Sequence, residues 1–266
     1  MAFQRITSAD NPAYKYIKSL TTKKGRDKAD AFIIEGERFA AEALTARAAR
    51  LLAFSESYAS RGGGAADASG VKTIILPDHL FERVSGTETP QGVLAVCEKR
   101  RRTLDAVLIN KKRNVLIILA EDISDPGNLG TIIRTADAAG ADAVILTESC
   151  AELYNPKVLR AAAGAAFRMP VIEDCALADA AARLKAAGIK LYAAHVRGGI
   201  VPYGLNLTES CAFIVGSEAR GISDEAAGLS DALVKLPMAD GAESLNAAMA
   251  AGILMYEAVR QRRVLD

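Results

Sequence analysis

From Asn114 onward the sequence alternates between short apolar runs and alanine-rich amphipathic segments, and few architectures accommodate that alternation. VLIILAE, AVIL, MPVIE, KLYAAHV, CAFIVG and ALVKLPM read as strands. LGTIIRTADAAG, the stretch from about Lys157 to Ala166, LADAAARLKAAG and a long terminal segment from about Ser244 read as helices. Strands alternating with helices predict a parallel sheet covered on both faces, since each crossover lays a helix back over the strands it joins. Ligands of such sheets bind beyond the carboxyl ends of the strands. The loops after VLIILAE, AFIVG and VKLPM are therefore the candidate site.

The front of the chain has a different texture. To about Leu52 it reads as helical, with Lys15, Lys18, Lys23, Lys24, Arg26 and Lys28 ahead of FIIEGERFAAEAL. LLAFS, VKTIILP and GVLAVCE then read as strands separated by RGGGAADASG and GTETPQG, a small α/β unit ending near Cys97. The charge density of KRRRTLDAVLINKKR marks a linker or exposed helix. The expected division is thus 1–98, a basic linker at 99–113, and 114–266. Residues 1–112 hold 19 Lys and Arg against 13 Asp and Glu, and the remainder holds 14 against 19. That split suits a polyanion-binding front joined to a back with another task, although a solvated basic face would carry the same charge.

Composition removes several classes. In 266 residues, half are hydrophobic, only 5% are aromatic and none is Trp, so the cores must be built from Ala, Val, Ile and Leu, and a disordered chain is excluded. Cys97, Cys150, Cys175 and Cys211 include no CxxC pair, and there are two histidines, so neither a disulfide scaffold nor a metal site is expected. No apolar run approaches the roughly 18 residues of a membrane span, and the N-terminus lacks the apolar core of a signal peptide. A cytoplasmic protein with reduced thiols is expected.

Each candidate loop admits an ordinary structural explanation. In EDISDPGNLGTIIRTADAAG, Asn128 reads as the cap of a helix beginning near Leu129. Arg134 lies among apolar and small residues, with Asp137 as its structural partner if it has no other role. In FIVGSEARGIS, Gly216 and Gly221 are spaced as GxxxxG, but no Lys-Ser/Thr follows and no GxGxxG occurs anywhere, so a phosphate cradle has no support. In VKLPMADGAESLNAAMAAGILMYEAVRQR, Ser244 reads as the cap of the last helix. Leu245, Met249, Gly252, Tyr256 and Val259 share one face, as core or as dimer seam. Asn246 is a local cap or a residue whose amide binds something specific.

Taken together, NLGTIIRTADAAG, IVGSEARGIS and LPMADGAESLNAAMAAGILMYE resemble the three ordered motifs of the SpoU (TrmH-like) branch of the SPOUT RNA methyltransferases. The front segments ITSADNPAYKYIKSL, FIIEGERFAAEAL and ETPQGVLAV are similar to the substrate-binding domain of members acting on large-subunit ribosomal RNA. The resemblance implies a trefoil-knotted parallel-sheet catalytic domain that binds S-adenosylmethionine as a homodimer, preceded by a smaller L30e-like α/β domain that grips RNA. It puts the polar motif positions on Asn128, Arg134, Glu218, Ser244 and Asn246. Cofactor contacts are implied at Ala194, His195, Gly216, Ser217, Glu218, Gly221, Leu236, Met238, Ser244 and Leu245. His195 matches no fixed family position, and a half-buried structural histidine is its ordinary reading.

The reaction implied is methyl transfer to a ribose 2′-hydroxyl, without a metal. Arg134 would fix the adjacent phosphate and stabilise the developing alkoxide, because a guanidinium with a pKa above about 12 is a poor base. Glu218 would orient Arg134, and Asn128, Ser244 and Asn246 would hold the ribose and the loops. Methylation of transfer RNA, or a ribosome assembly factor that has lost turnover, are the alternatives. A nicotinamide-dependent dehydrogenase lacks its glycine fingerprint.

Overall fold

The structure, a computed structural model, describes residues 3–62, 70–109, 114–240 and 244–263. The middle of RGGGAADASG and the end of the basic stretch after Ile109 lie outside the described residues. The chain forms two compact units. One comprises residues 1–100 together with Tyr154–Pro156, and the other comprises residues 101–153 and 157–266.

The first unit runs β1 (Gln4–Arg5), α1 (Pro12–Ser19), α2 (Lys23–Ala29), β2 (Ala31–Glu35), α3 (Glu37–Thr45), β3 (Ala49–Ser55), α4 (Glu56–Ser60), β4 (Lys72–Leu76), α5 (Asp78–Glu82) and β5 (Val93–Glu98). Its sheet has the order β1-β4-β3-β5-β2, with β3 parallel to β4 and antiparallel to β5. The expectation of helix throughout to Leu52 is corrected here. FIIE, rich in β-favouring residues, is strand β2 against β5, and helix begins only after Gly36, whose φ of 110° breaks the run. Helix α1 starts as its sequence dictates: the Asn11 side chain accepts the Ala13 N–H, Pro12 takes the first position, and Tyr14 and Ile17 enter the core. Of the six basic residues in this stretch, Arg26 is buried and its guanidinium donates to the Leu20 carbonyl at 3.1 Å, so it is structural. Lys18, Lys23, Lys24 and Lys28 remain exposed.

Two further sets of contacts stiffen this unit. The Glu35 carboxylate accepts Ser85 Oγ at 2.7 Å, the Gly86 N–H at 2.9 Å and Thr87 Oγ1 at 2.8 Å, fixing the turn ahead of ETPQG. Tyr154 arrives from far along the chain. Its hydroxyl accepts the Arg100 N–H at 2.9 Å and its ring lies 4.5 Å from that of Phe32, with Lys99 Nζ over its face.

The second unit continues with α6 (Leu104–Ile109), β6 (Leu116–Ala120), α7 (Pro126–Ala139), β7 (Ala143–Thr147), α8 (Pro156–Ala162, whose first residue belongs to the other unit), α9 (Ala165–Arg168), β8 (Val171–Cys175), α10 (Leu177–Ala186), β9 (Lys190–Ala194), β10 (Cys211–Val215), α11 (Asp224–Leu229), β11 (Ala232–Val234) and α12 (Ala247–Arg263). Its sheet is parallel throughout, in the order β11-β9-β10-β6-β7-β8. Every residue of β6, β7 and β10 is buried, as strands covered on both faces require. The alanine-rich helix predicted for 157–166 is two helices, because Ala163 and Gly164 both take positive φ.

The cysteines are free thiols. Burial pushes Cys97 up to about 12 and Cys211 up to about 11, so both stay protonated and inert at neutral pH.

Helix α7, which carries the first motif, meets α8 at a glycine. A Cβ on Gly130 would stand 2.5 Å from Ala161 Cβ and 2.6 Å from the Val158 carbonyl. Gly130→Ala is therefore expected to destabilise the protein by about 1–3 kcal/mol despite the gain in helix propensity, measured as a lower urea midpoint at unchanged slope.

Candidate active site

Parallel pairing of β9, β10, β6 and β11 brings the three candidate loops to one edge of the sheet. The loop after β6 enters α7 through Asp125, whose carboxylate accepts the Asn128 N–H at 2.7 Å while Pro126 takes the first helical position. Asp125, not Asn128, is the helix cap. The Asn128 side chain is thereby left for another use.

That use is Asn246. Its Nδ2 donates to Asn128 Oδ1 at 2.8 Å and also to the Glu218 carboxylate. Its Oδ1 accepts the N–H groups of Ala248, at 3.0 Å, and Met249, at 3.2 Å. One amide thus caps α12 with its oxygen and joins the other two loops with its nitrogen. Ser244, expected to be the cap, lies in the exposed turn three residues before the helix. Glu218, expected to orient Arg134, is held by Asn246 instead.

The loop after β10 is closed tightly. The Gly221 N–H donates to the Ser217 carbonyl at 2.8 Å, and a Cβ on Gly216 would stand 2.0 Å from the Gly221 carbonyl oxygen. Only glycine fits at 216. The loop is tied to the end of β6 by Glu121, which is buried and accepts the Ser223 N–H at 3.0 Å. Nothing in the sequence marked Glu121, although an acid at the end of an apolar strand is a signal that could have been read.

These loops and the end of β9 enclose a cavity of about 320 Å³. All ten residues expected to contact a cofactor line it: Ala194, His195, Gly216, Ser217, Glu218, Gly221, Leu236, Met238, Ser244 and Leu245. Val215, Val234, Ala247 and Ala250 add to an apolar wall, and Arg220, which the sequence reading passed over, adds a charge. His195 is fixed by a local contact, its Nδ1 accepting the Arg197 N–H at 3.0 Å, so in the neutral ring the proton sits on Nε2.

Arg134 stands apart. It is exposed, does not line the cavity, and has no ion pair among the described residues. The alternative that it pairs with Asp137 is corrected, because Arg168 reaches that carboxylate at 2.6 Å. Among the described residues no group of three or more His, Cys, Asp or Glu is placed to hold a metal ion, and no helix is long and apolar enough to cross a membrane.

A parallel α/β sheet with a largely apolar cavity at its carboxyl edge, bordered by amide and carboxylate groups rather than a phosphate cradle, has the form of a small-molecule binding site. The chain belongs to the SpoU rRNA methylase family, which it matches over residues 115–256. Residues 11–95 match the MRM3-like substrate binding domain. The 23S rRNA (guanosine(2553)-2′-O)-methyltransferase RlmP of Bacillus subtilis is 38% identical over 255 residues, covering 95% of this chain and 98% of that protein. An AdoMet-bound rRNA methyltransferase from Sinorhizobium meliloti superposes with a TM-score of 0.84 at 29% identity, over 97% of this chain and 98% of the other. The SpoU methyltransferase AviRb from Streptomyces viridochromogenes, in complex with AdoMet, gives 0.82 at 28% identity over 96% and 100%.

The two functions of the Asn246 amide can be separated. Asn246→Ala should lose both, deprotecting the first turn of α12 and the loops at 121–125 and 216–221 in amide hydrogen exchange, at a cost of about 1 kcal/mol for the cap alone. Asn246→Asp keeps a good cap but sets a carboxylate against Glu218, so its extra exchange should be confined to the two loops.

Proposed function

We propose that this protein transfers the methyl group of S-adenosylmethionine to a ribose 2′-hydroxyl in large-subunit ribosomal RNA. The observation that carries this reading is the cavity at the sheet edge, bordered by the Asn128, Asn246 and Glu218 junction, in a chain of the SpoU rRNA methylase family. The lining fits the cofactor: the apolar walls suit the faces of its adenosyl part, and glycine at 216 keeps side-chain atoms out of the turn beside it. Ala194, Gly216, Leu236, Met238 and Leu245 would hold it. When bound, it supplies a methyl group on a sulfonium, which is a good leaving group.

The protein's part is positioning and electrostatics. The junction holds the three loops in register, so the 2′-hydroxyl is presented in line rather than sampled. Arg134 serves as an anion-stabilising group and not as a base, since a guanidinium is a fork of donors with no acceptor: it contacts the neighbouring phosphate and the oxygen that becomes negative. Ser244 borders the same space. RNA affinity comes from the first unit, whose residues 1–100 hold 15 Lys and Arg against 12 Asp and Glu and leave Lys18, Lys23, Lys24 and Lys28 exposed.

The enzyme acts as a cytoplasmic homodimer with a trefoil knot in its second unit. The dimer is supported by Met249, Ile253 and Tyr256, spaced four and three residues apart on α12 and 59%, 38% and 50% exposed. The sequence left the face of Leu245, Met249, Gly252, Tyr256 and Val259 open between core and seam, and the exposure of Leu245, Met249 and Tyr256 favours the seam. Arg134 lies on α7, against which α12 packs. The knot rests on family membership.

Mapping ribose methylation on ribosomal RNA from cells with and without the gene tests the reaction: one 2′-O-methyl mark in 23S rRNA should vanish, and an unchanged map would refute it. For Arg134→Ala, single-turnover methylation should slow about a hundredfold, on the order of 3 kcal/mol of transition-state stabilisation, with cofactor affinity unchanged. Wild-type rates in that variant would remove Arg134 from the mechanism.

A further inference from the structure

Charge is scarce on the cavity wall. Among the described residues lining it, Glu218 is the only carboxylate and Arg220 the only Lys or Arg. Glu218 is already engaged by Asn246. Arg220 is exposed, and its guanidinium has no hydrogen bond or ion pair among the described residues. Its backbone, by contrast, is fixed: the Arg220 N–H donates to Ser217 Oγ at 3.3 Å, and the Gly221 N–H closes the same turn onto the Ser217 carbonyl. The turn therefore holds an unpaired planar cation at the rim of an apolar cavity on a stiff base.

We propose that Arg220 is the residue that receives the methionine carboxylate of the S-adenosyl ligand, an assignment that rests on the functional reading above. The adenosyl end of that ligand carries no anionic group and is served by apolar walls and backbone. The amino-acid end carries a carboxylate, which loses hydration on entering such a site and must be matched by a cation. A guanidinium matches it with two parallel N–H bonds, and no other Lys or Arg among the described residues lines the wall. The other anion in the reaction is an RNA phosphate. It bears on Arg134, which lies outside the lining, whereas Arg220 is part of the wall.

Calorimetric titration of the full chain with two probes tests this. S-adenosylhomocysteine carries the carboxylate, and 5′-methylthioadenosine keeps the adenosyl thioether but lacks it. Arg220→Ala should weaken S-adenosylhomocysteine by about tenfold or more and leave 5′-methylthioadenosine within about twofold, with Arg220→Lys between the wild type and Arg220→Ala for the first probe only. Unchanged affinity for S-adenosylhomocysteine overturns the assignment, as does an equal loss for both probes, which would mean a collapsed loop. A raised KM for RNA with a salt slope shallower by about one, and no change for either probe, overturns it in favour of a phosphate contact. If the wild-type protein binds neither probe, it is the functional reading that fails.

Discussion

Parallel strand pairing is the constraint on which the site depends. In a parallel ladder every strand points the same way, so every loop that follows a strand leaves by the same edge. Once β6, β10 and β9 pair side by side, with β11 beyond β9, segments separated by more than a hundred residues have their loops within reach of one another. The pairing is secured from inside: the central strands are buried along their full length, and Ile117, Leu119, Ile145, Ala212 and Ile214 belong to one apolar cluster. Slipping a strand by one residue would exchange its faces and misplace its loop.

The loops would still be free to part at their tips without the amide of Asn246. A carboxylate at that position could not donate, and an apolar residue could neither cap nor donate. An amide supplies an acceptor and a donor from one planar group, and the structure uses both. Glu121 does comparable work one layer deeper, where a buried carboxylate accepts a single backbone N–H from the neighbouring loop. Such contacts cost conformational freedom on folding, but they leave less to be ordered when a ligand arrives.

Most of the second unit was legible because its strand and helix periods differ and its breakers fall between them. What was not legible depended on contacts distant in sequence. FIIEGERFAAEAL passes for one amphipathic helix until Gly36 adopts a conformation that only pairing of β2 with β5 demands. Local pairing suggested Asp137 for Arg134, yet Arg168, 31 positions away, holds that carboxylate. The cap at Asp125 was within reach, since an acid just before a proline at the first helical position is a strong start signal, and choosing Asn128 hid the fact that its side chain was spare. Arg220 was overlooked because glycine-rich turns draw attention to their glycines. That Met249, Ile253 and Tyr256 of α12 stay exposed could be known only from the structure.

Tyr154 has a further consequence for how the two units can be exchanged. Its hydroxyl satisfies the backbone of Arg100 and its ring packs on Phe32, so the first unit takes part of its own interior from three residues, Tyr154–Pro156, that follow β7 in sequence. The chain therefore crosses between units at three peptide bonds instead of one. A chimera that transplants residues 1–100 onto a different catalytic half would carry an empty aromatic slot and unmet polar groups at Arg100, unless the host loop brought its own tyrosine. Compatibility between a substrate-recognition half and a catalytic half is thus written partly in a three-residue segment that neither half, taken as a continuous stretch of sequence, contains together with the slot it fills.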